Sequence, residues 1–417
     1  MKNRGILSVY QGLPAGIYVI FFSRIVNSVG NLVYPFLSLY LTTKLGLGKA
    51  DAGLFLTLSS VVYVPASVIG GKIADHFGRK AMLVGGMAAS ALCLLPAGFA
   101  PTSHLVPWLL VASRFFGSLS DPAYSALIAD LTTPDNRKAS FSLLYLGHNI
   151  GFAVGPMIAG FLFARNLPLL FIGDAATTLL SVALVALYVK ETKRPSEASY
   201  QDDQSDLPEM ERAETGSVLS VLLRRPVLVI SSLLFLVYSL VYAQHIFSLP
   251  IQLDALYGAA GAIHYGTLMS VNAITVVALT SAITVLTVRF SPLANMGLAG
   301  LALAVGFGMI YFVHSLPLLI LSTVVWTVGE ILQTVNLGVI MANNTPSSHR
   351  ARISSAISII AGAGWVFGPW LAGLWMQSHT VQSIWPIAFF LALGAAVLMF
   401  MLSSASSARE KAVAAES

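Results

Sequence analysis

Arg114 and Asp121 lie seven residues apart in LLVASRFFGSLSDPAYSALIADL, and Glu330 stands in TVGEILQ with uncharged chain running back to Phe290 and on to Ser348. Seven residues are about two helical turns, so Arg114 and Asp121 project from one face, which Gly117 and Tyr124 share. That spacing is too long for a direct i,i+4 pair. Arg114 is then available to a partner across a cavity or to tune a carboxylate, and Asp121 to titrate; the competing reading of Asp121 is a cap-like turn before Pro122. A carboxylate in apolar surroundings can take up and release a proton near neutral pH. Glu330, with Gln333 one turn on, is the foremost candidate for that work, against the alternative of a hydrogen bond tying its helix to a neighbour. Arg24, Asn27 and Asn31 recur at i, i+3 and i+7 in FFSRIVNSVGN, a polar stripe expected to face a cavity. His148 and His245 could relay protons, although a lone histidine in such chain more often packs through a hydrogen bond. Asp174, in FIGDAATTLL, reads as structural.

The elements that must hold these residues are set by composition. The chain has 417 residues, 56% of them hydrophobic and 10% charged, with a mean hydropathy of +0.79. Charge-free stretches such as 81–113, 139–164, 226–253 and 353–408 each accommodate one or two spans of about 20 residues. Lipid leaves no water for unpaired backbone groups, so the spans are helices. Twelve are expected, over 14–41, 52–74, 81–100, 105–129, 138–163, 167–189, 226–250, 263–288, 293–313, 316–343, 352–377 and 383–403. With both termini cytoplasmic, eighteen Lys and Arg fall inside, while Lys44, Lys49 and Arg165 alone fall outside. Only Arg24 and Arg114 remain within helices. A basic start (Lys2, Arg4) precedes an apolar stretch too long for a signal-peptide core, so the first span is expected to be retained.

Residues 190–225 are polar and acid-rich and read as a flexible cytoplasmic linker. They divide the chain into an N-terminal bundle, 1–189, and a C-terminal bundle, 226–417, of six helices each. The two are related by duplication. GFAVGPMIAG, with Gly151, Gly155, Pro156 and Gly160, and GWVFGPWLAG, with Gly364, Gly368, Pro369 and Gly373, share one pattern at an offset of 213 residues. Thr133-Pro134 and Arg137 have counterparts in Thr345-Pro346 and Arg350. Carriers built from repeats place their site at the repeat interface, while Gly-x-x-x-Gly by itself serves close helix packing. Tyr238, Tyr242 and His245 share a face of the seventh span, a candidate cavity wall for lipophilic or cationic molecules. Tyr34, Phe36, Trp326, Trp365 and the other aromatics are expected mostly to pack or to face lipid.

GGKIADHFGRK, residues 70–80, resembles the signature between helices 2 and 3 of the major facilitator superfamily. Arg114 resembles that superfamily's helix 4 arginine, and GHNIGFAVGPMIAG its antiporter signature in helix 5. NRKASFSLLYLGHN and TVVWTVGEILQTVN are similar to segments of the LmrP-like multidrug antiporters. The resemblance covers essentially the whole chain. It implies an all-α integral membrane fold of twelve transmembrane helices in two pseudo-symmetric six-helix bundles, working by alternating access. It further implies a conformational latch of Gly71, Asp75, Gly78, Arg79, Lys80 and Asp130, in which Asp75 faces the start of helix 11 near Ser354 and Ser355 and Arg79 reaches Asp130. Two departures matter: Leu144 stands where the LmrP-like pattern has an acid, and AQHIFSLP in helix 7 offers no acid before Asp254. The E-x-x-E-R cluster of the superfamily's peptide carriers is missing from helix 1.

Other classes find no footing. No H-E-x-x-H, G-x-S-x-G or phosphate-loop pattern occurs, and one cysteine, Cys93, with eight scattered histidines makes neither a disulfide nor a metal cluster. The net charge of +5 is not gathered on a soluble face, which excludes nucleic acid as a partner. The expectation is a non-enzymatic, proton-coupled efflux antiporter for lipophilic small molecules: a monomer in the bacterial inner membrane, without cofactors, whose partners are protons, substrate and lipid. Proton-coupled carriage of peptides, amino acids or sugars is the runner-up, and a transport-inactive sensor or lipid-handling protein is the alternative from another class.

Overall fold

The computed structural model describes residues 10–192, 225–344 and 350–416, without the side chains of Pro134, Lys138, 341–356, Ser358 and 409–416. Most of the expected linker, Thr345-Pro346, and the side chains of Arg350, Ser354 and Ser355 therefore lie outside the described residues. Among those described no strand forms. The helices are α1 Ala15–Val29, α2 Lys49–Val61, α3 Tyr63–Phe77, α4 Arg79–Phe99, α5 Val106–Leu131, α6 Pro134–Arg165, α7 Leu167–Tyr188, α8 Pro226–Tyr242, α9 Ser248–Tyr257, α10 Gly261–Thr287, α11 Pro292–Met309, α12 Leu316–Asn344, α13 Arg350–Trp375 and α14 Ile384–Glu416. Among the described residues nine helical runs are long and apolar enough to cross a membrane, one of them the 62-residue run Pro226–Thr287, with Ile359–Trp375 a shorter apolar helix. Two passes within that long run, together with Ile359–Trp375 and α5, which is not among the nine, complete the all-α membrane architecture of the expected twelve spans.

Three spans are not the continuous helices that hydropathy suggests. The first stops at Gly30 and resumes as short helical turns from Tyr34 to Lys44. The second breaks at Val62, between α2 and α3. The seventh leaves α8 for a 3-10 turn, Ala243–His245, before α9. Hydropathy averages over a window, and a break of one to five residues leaves the average unchanged.

The chain forms two compact units. One is Met1–Ala198 with Leu253–Val277; the other is Ser199–Gln252 with Ala278–Ser417. Leu253–Val277, which a division at 226 assigns to the second bundle, packs with the first unit through glycine. A Cβ on Gly160 of α6 would lie 2.6 Å from the Ala262 carbonyl oxygen, and one on Gly266 of α10 would lie 2.2 Å from that of Pro156.

The repeated glycine pattern does the same work in each unit. A Cβ on Gly151 or Gly155 of α6 would come 2.7 Å from the carbonyl oxygens of Ile25 and Val29, so α6 seats against the α1 backbone. A Cβ on Gly364 of α13 would meet the Leu236 carbonyl oxygen at 2.1 Å, and one on Gly368 that of Leu240 at 3.1 Å, so α13 seats on α8. Pro156 and Pro369 lie inside their helices. Gly373 is buried one turn beyond Pro369.

Candidate functional site

The first unit encloses a cavity of about 390 Å³, reached by side chains of α1, α4, α5, α6 and α7. Arg24, Asn27, Asn31, Arg114, Asp121 and His148 all line it. Asn31 arrives by a route that a helical stripe does not describe, because α1 has ended by then. Breaking a helix inside a membrane strands backbone N–H groups that need acceptors. Asp174 of α7 supplies them: its Oδ2 accepts from the N–H of Leu32 and of Val33, each at 3.0 Å. A Cβ on Gly30 would overlap the Thr177 hydroxyl, so only glycine lets the chain turn here against α7. The structural reading of Asp174 is therefore the geometry found, and the break it holds presents Asn31 to the cavity.

The two arginines are held by rings. Arg24 lies over Tyr124 at 5.3 Å from the ring centroid. Arg114 lies over Tyr34 at 5.0 Å and Tyr63 at 5.5 Å. Both guanidinium groups act electrostatically on Asp121, but neither closes an ion pair with it. Asp121 opens onto the cavity from within the continuous helix α5, which carries Pro122 internally. Among the described residues, Arg114 Nε and the Tyr124 hydroxyl are buried without hydrogen-bond partners. His148 Nδ1 meets the Ser28 hydroxyl at 2.9 Å, and the Asn27 amide donates to Thr178 at 3.3 Å. Leu144 is buried in the apolar core behind this surface.

The second unit answers with rings instead of charges. Tyr242 and His245 lie 4.3 Å apart at the α8 break, and both contact Trp326 of α12 and Trp365 of α13 at centroid separations of 5.5 to 5.8 Å. Phe307 of α11 stacks on Trp326 at 5.5 Å and on Trp385 at 6.1 Å. Tyr238 does not join them: it is fully buried and fills the space left by Gly300 on α11. Glu330, half-buried, follows Trp326 by one turn on α12, and Gln333 is buried a further turn along. Tyr242 and His245 are thus together, Trp326 and Trp365 join them from sequence positions that carry no local signal, and Tyr238 serves packing.

At the end of α3 the signature residues gather on one turn. Gly78 has a φ of +107°, the left-handed region that favours glycine. Gly70, just before Gly71, packs against the Leu119 carbonyl of α5. Arg79 forms the expected ion pair with Asp130, and Thr192 donates to the same carboxylate at 2.7 Å. Asp75 lies on the last turn of α3 and Lys80 on the first of α4. Glu191, placed by composition at the start of the linker, caps α4. It accepts from the N–H groups of Lys80 and Ala81 at 2.9 and 3.0 Å, where helix N-termini favour an anion. Burial would raise its pKa, but the backbone donors at Lys80, Ala81, Thr192 and Arg79 outweigh it and hold the carboxyl below its ordinary range. An acid two residues past an apolar helix was the available signal.

Known proteins agree with this architecture. The model of the Major Facilitator Superfamily matches residues 18–300. The chain is 26% identical over 355 residues to an uncharacterized MFS-type transporter of Bacillus subtilis, covering 85% of this chain and 83% of that one. Shorter matches are 33% identity over 170 residues to a Na(+), Li(+), K(+)/H(+) antiporter of Planococcus maritimus (39% of each chain), and 31% over 187 residues to the multidrug resistance protein MdtH of Photorhabdus laumondii (43% and 45%). Among solved structures, a peptide transporter POT in complex with sulfate aligns with a TM-score of 0.73 at 16% identity over 96% of both chains, which speaks for the fold alone. A bacterial homolog of the human lysosomal transporter Spinster aligns at 0.66 and 14%, also over 96% of both. The family match and the relative that spans most of both chains make this multi-pass helical protein a membrane transporter by class. The chain belongs to the Major Facilitator Superfamily.

Proposed function

We propose that this transporter is a proton-coupled efflux antiporter for lipophilic small molecules. It works by alternating access as a monomer in the bacterial inner membrane, with both termini cytoplasmic and the proton gradient as its only energy source. The observation that carries the reading is Asp121, a cavity-lining carboxylate flanked by two guanidinium groups and paired with neither. Such a group can change its protonation without dismantling a structural bond. Glu330, on the opposite half of the repeat, carries the proton exchanged against substrate, and the protonation of Asp121 sets how tightly the first unit's cavity holds that substrate. The relatives named as an antiporter and a multidrug resistance protein support the direction and the substrate range.

A pH jump across proteoliposomes tests this. Purified protein should move dyes or drugs against their gradient only when a proton gradient is imposed. Glu330→Gln should abolish that uphill movement while leaving counterflow exchange of substrate intact. Uphill movement at the wild-type rate in the variant would remove Glu330 from the mechanism, and no proton-dependent movement of any dye, drug or peptide would remove the carrier reading.

A further inference from the structure

Neither guanidinium group on the wall of the first unit's cavity has an ion-pair partner among the described residues. Arg24 and Arg114 present two guanidinium groups, and Asp121 is the one carboxylate on which both act. Asp174 also borders the cavity, but its Oδ2 is engaged by the Leu32 and Val33 N–H groups and it makes no ion pair with either arginine. His148, the remaining titratable side chain on the wall, is engaged by Ser28 and feels Arg24, adding no negative charge. A guanidinium away from water is costly unless an anion or a ring face compensates it. Ring faces do part of this: Tyr124 under Arg24, Tyr34 and Tyr63 around Arg114. Rings leave the N–H donors unspent, and Arg114 Nε and the Tyr124 hydroxyl are both buried without partners. Unspent donors in a cavity of about 390 Å³ are a receptor for an acceptor group carried by a ligand.

We infer that this cavity binds the anionic head, a carboxylate or sulfonate, of an amphipathic organic molecule. The inference rests on the transporter reading and names its substrate class. Arg114 and Arg24 would take the head, with the Tyr124 hydroxyl as an additional donor. Leu83, Val84 and Met87 of α4 and Leu37 after the α1 break give the apolar body a wall. An anionic head supplies the acceptor that the two guanidinium groups lack, because Asp121 pairs with neither and the Asp174 oxygen is engaged by backbone N–H groups. Asp121 competes with the ligand for the same two cations, so a proton on Asp121 and the anion favour each other. The proton exchanged against substrate therefore resides on Glu330, and Asp121 sets affinity.

Three probes that share one aromatic body and differ in head group test the site: 2-naphthoate, 2-naphthalenemethanol and 2-naphthylmethylammonium. Binding of each to the full chain in nanodiscs is measured at neutral pH against empty nanodiscs. The anion should bind at least about tenfold more tightly than the alcohol or the ammonium. Arg114→Gln and Arg24→Gln should each weaken the anion about tenfold or more, and Asp121→Asn should strengthen it. Preference for the ammonium, equal binding of all three, no saturable anion binding, or weakened anion binding in Asp121→Asn would overturn the inference. Asp121→Asn decides the matter even where an arginine variant fails to fold. Anion binding without proton-driven movement would retire the carrier reading and leave the site standing. Proton-driven movement of the ammonium probe without anion binding would do the reverse.

Discussion

The two units share a packing frame and differ in what the frame surrounds. In each, the glycines of the repeated motif bring a helix onto the backbone of the unit's first helix: α6 onto α1, α13 onto α8. Inside the first unit are two guanidinium groups, two carboxylates and a histidine. Around the equivalent helices of the second are Tyr242, His245, Trp326 and Trp365, with Glu330 a turn beyond. The lesson is that duplication preserves contacts in which no alternative residue fits. A glycine whose Cβ would stand under 3 Å from a carbonyl oxygen cannot drift, whereas a cavity wall can exchange charge for aromatic surface at no cost to the backbone.

The strongest test of the shared frame is to fill its glycines. Gly364→Val and Gly155→Val should each cost about 3 kcal/mol or more by overpacking, read as a drop in melting temperature or loss of monodisperse protein by fluorescence-detected chromatography. Tolerance in one unit alone would break the comparison. The halves also pin their interrupted helices differently. Asp174 holds the α1 break across from α7, whereas at the α8 break the Gln244 amide bonds Leu240 and Gly368 carbonyls and takes a bond from Ser248. Asp174→Ala should cost about 2 kcal/mol, since two buried N–H groups lose their acceptor, and Asp174→Asn, which keeps an acceptor oxygen, should cost less. Equal melting temperatures for the two variants would refute that account.

The smallest effect is expected where the helix starts are capped. α11 uses the local Ser291, whose hydroxyl accepts from the Ala294 N–H at 3.2 Å, while α4 uses distant Glu191. A carboxyl held below its ordinary range contributes stability that is fully present above that range and is lost as pH falls through its folded-state value. Glu191→Gln should therefore lower the melting temperature slightly at pH 7, by under about 1 kcal/mol after solvent screening, and the gap to the unsubstituted protein should close toward pH 4. A gap that does not narrow on acidification would rule out the charge as its cause.

Much of this was legible in the chain before folding. Spans show because a bilayer imposes a length of apolar residues, and the repeat shows because glycines such as Gly151, Gly155 and Gly364 stand where a Cβ would strike backbone. Arg114 and Asp121 show because charge within such a span is rare. Less legible were the breaks at Gly30 and Val62 and the capping role of Glu191. Two depend on a partner far along the chain, Asp174 for Leu32 and Lys80 for Glu191, whereas Val62 precedes Pro65, which brings no N–H to bond the Val61 carbonyl.

By itself, then, the sequence determined the class of fold, the order of spans, the kinship of the halves and the list of ionisable groups, because hydropathy, repetition and charge are properties of residues counted along the chain. Tertiary structure alone decided that Tyr34 and Tyr63 cradle Arg114, that Tyr238 packs on Gly300 while His245 joins Trp326 and Trp365, and that Arg114 Nε ends buried with no partner of its own. Those are relations between side chains on different helices, and no periodicity within one helix encodes them.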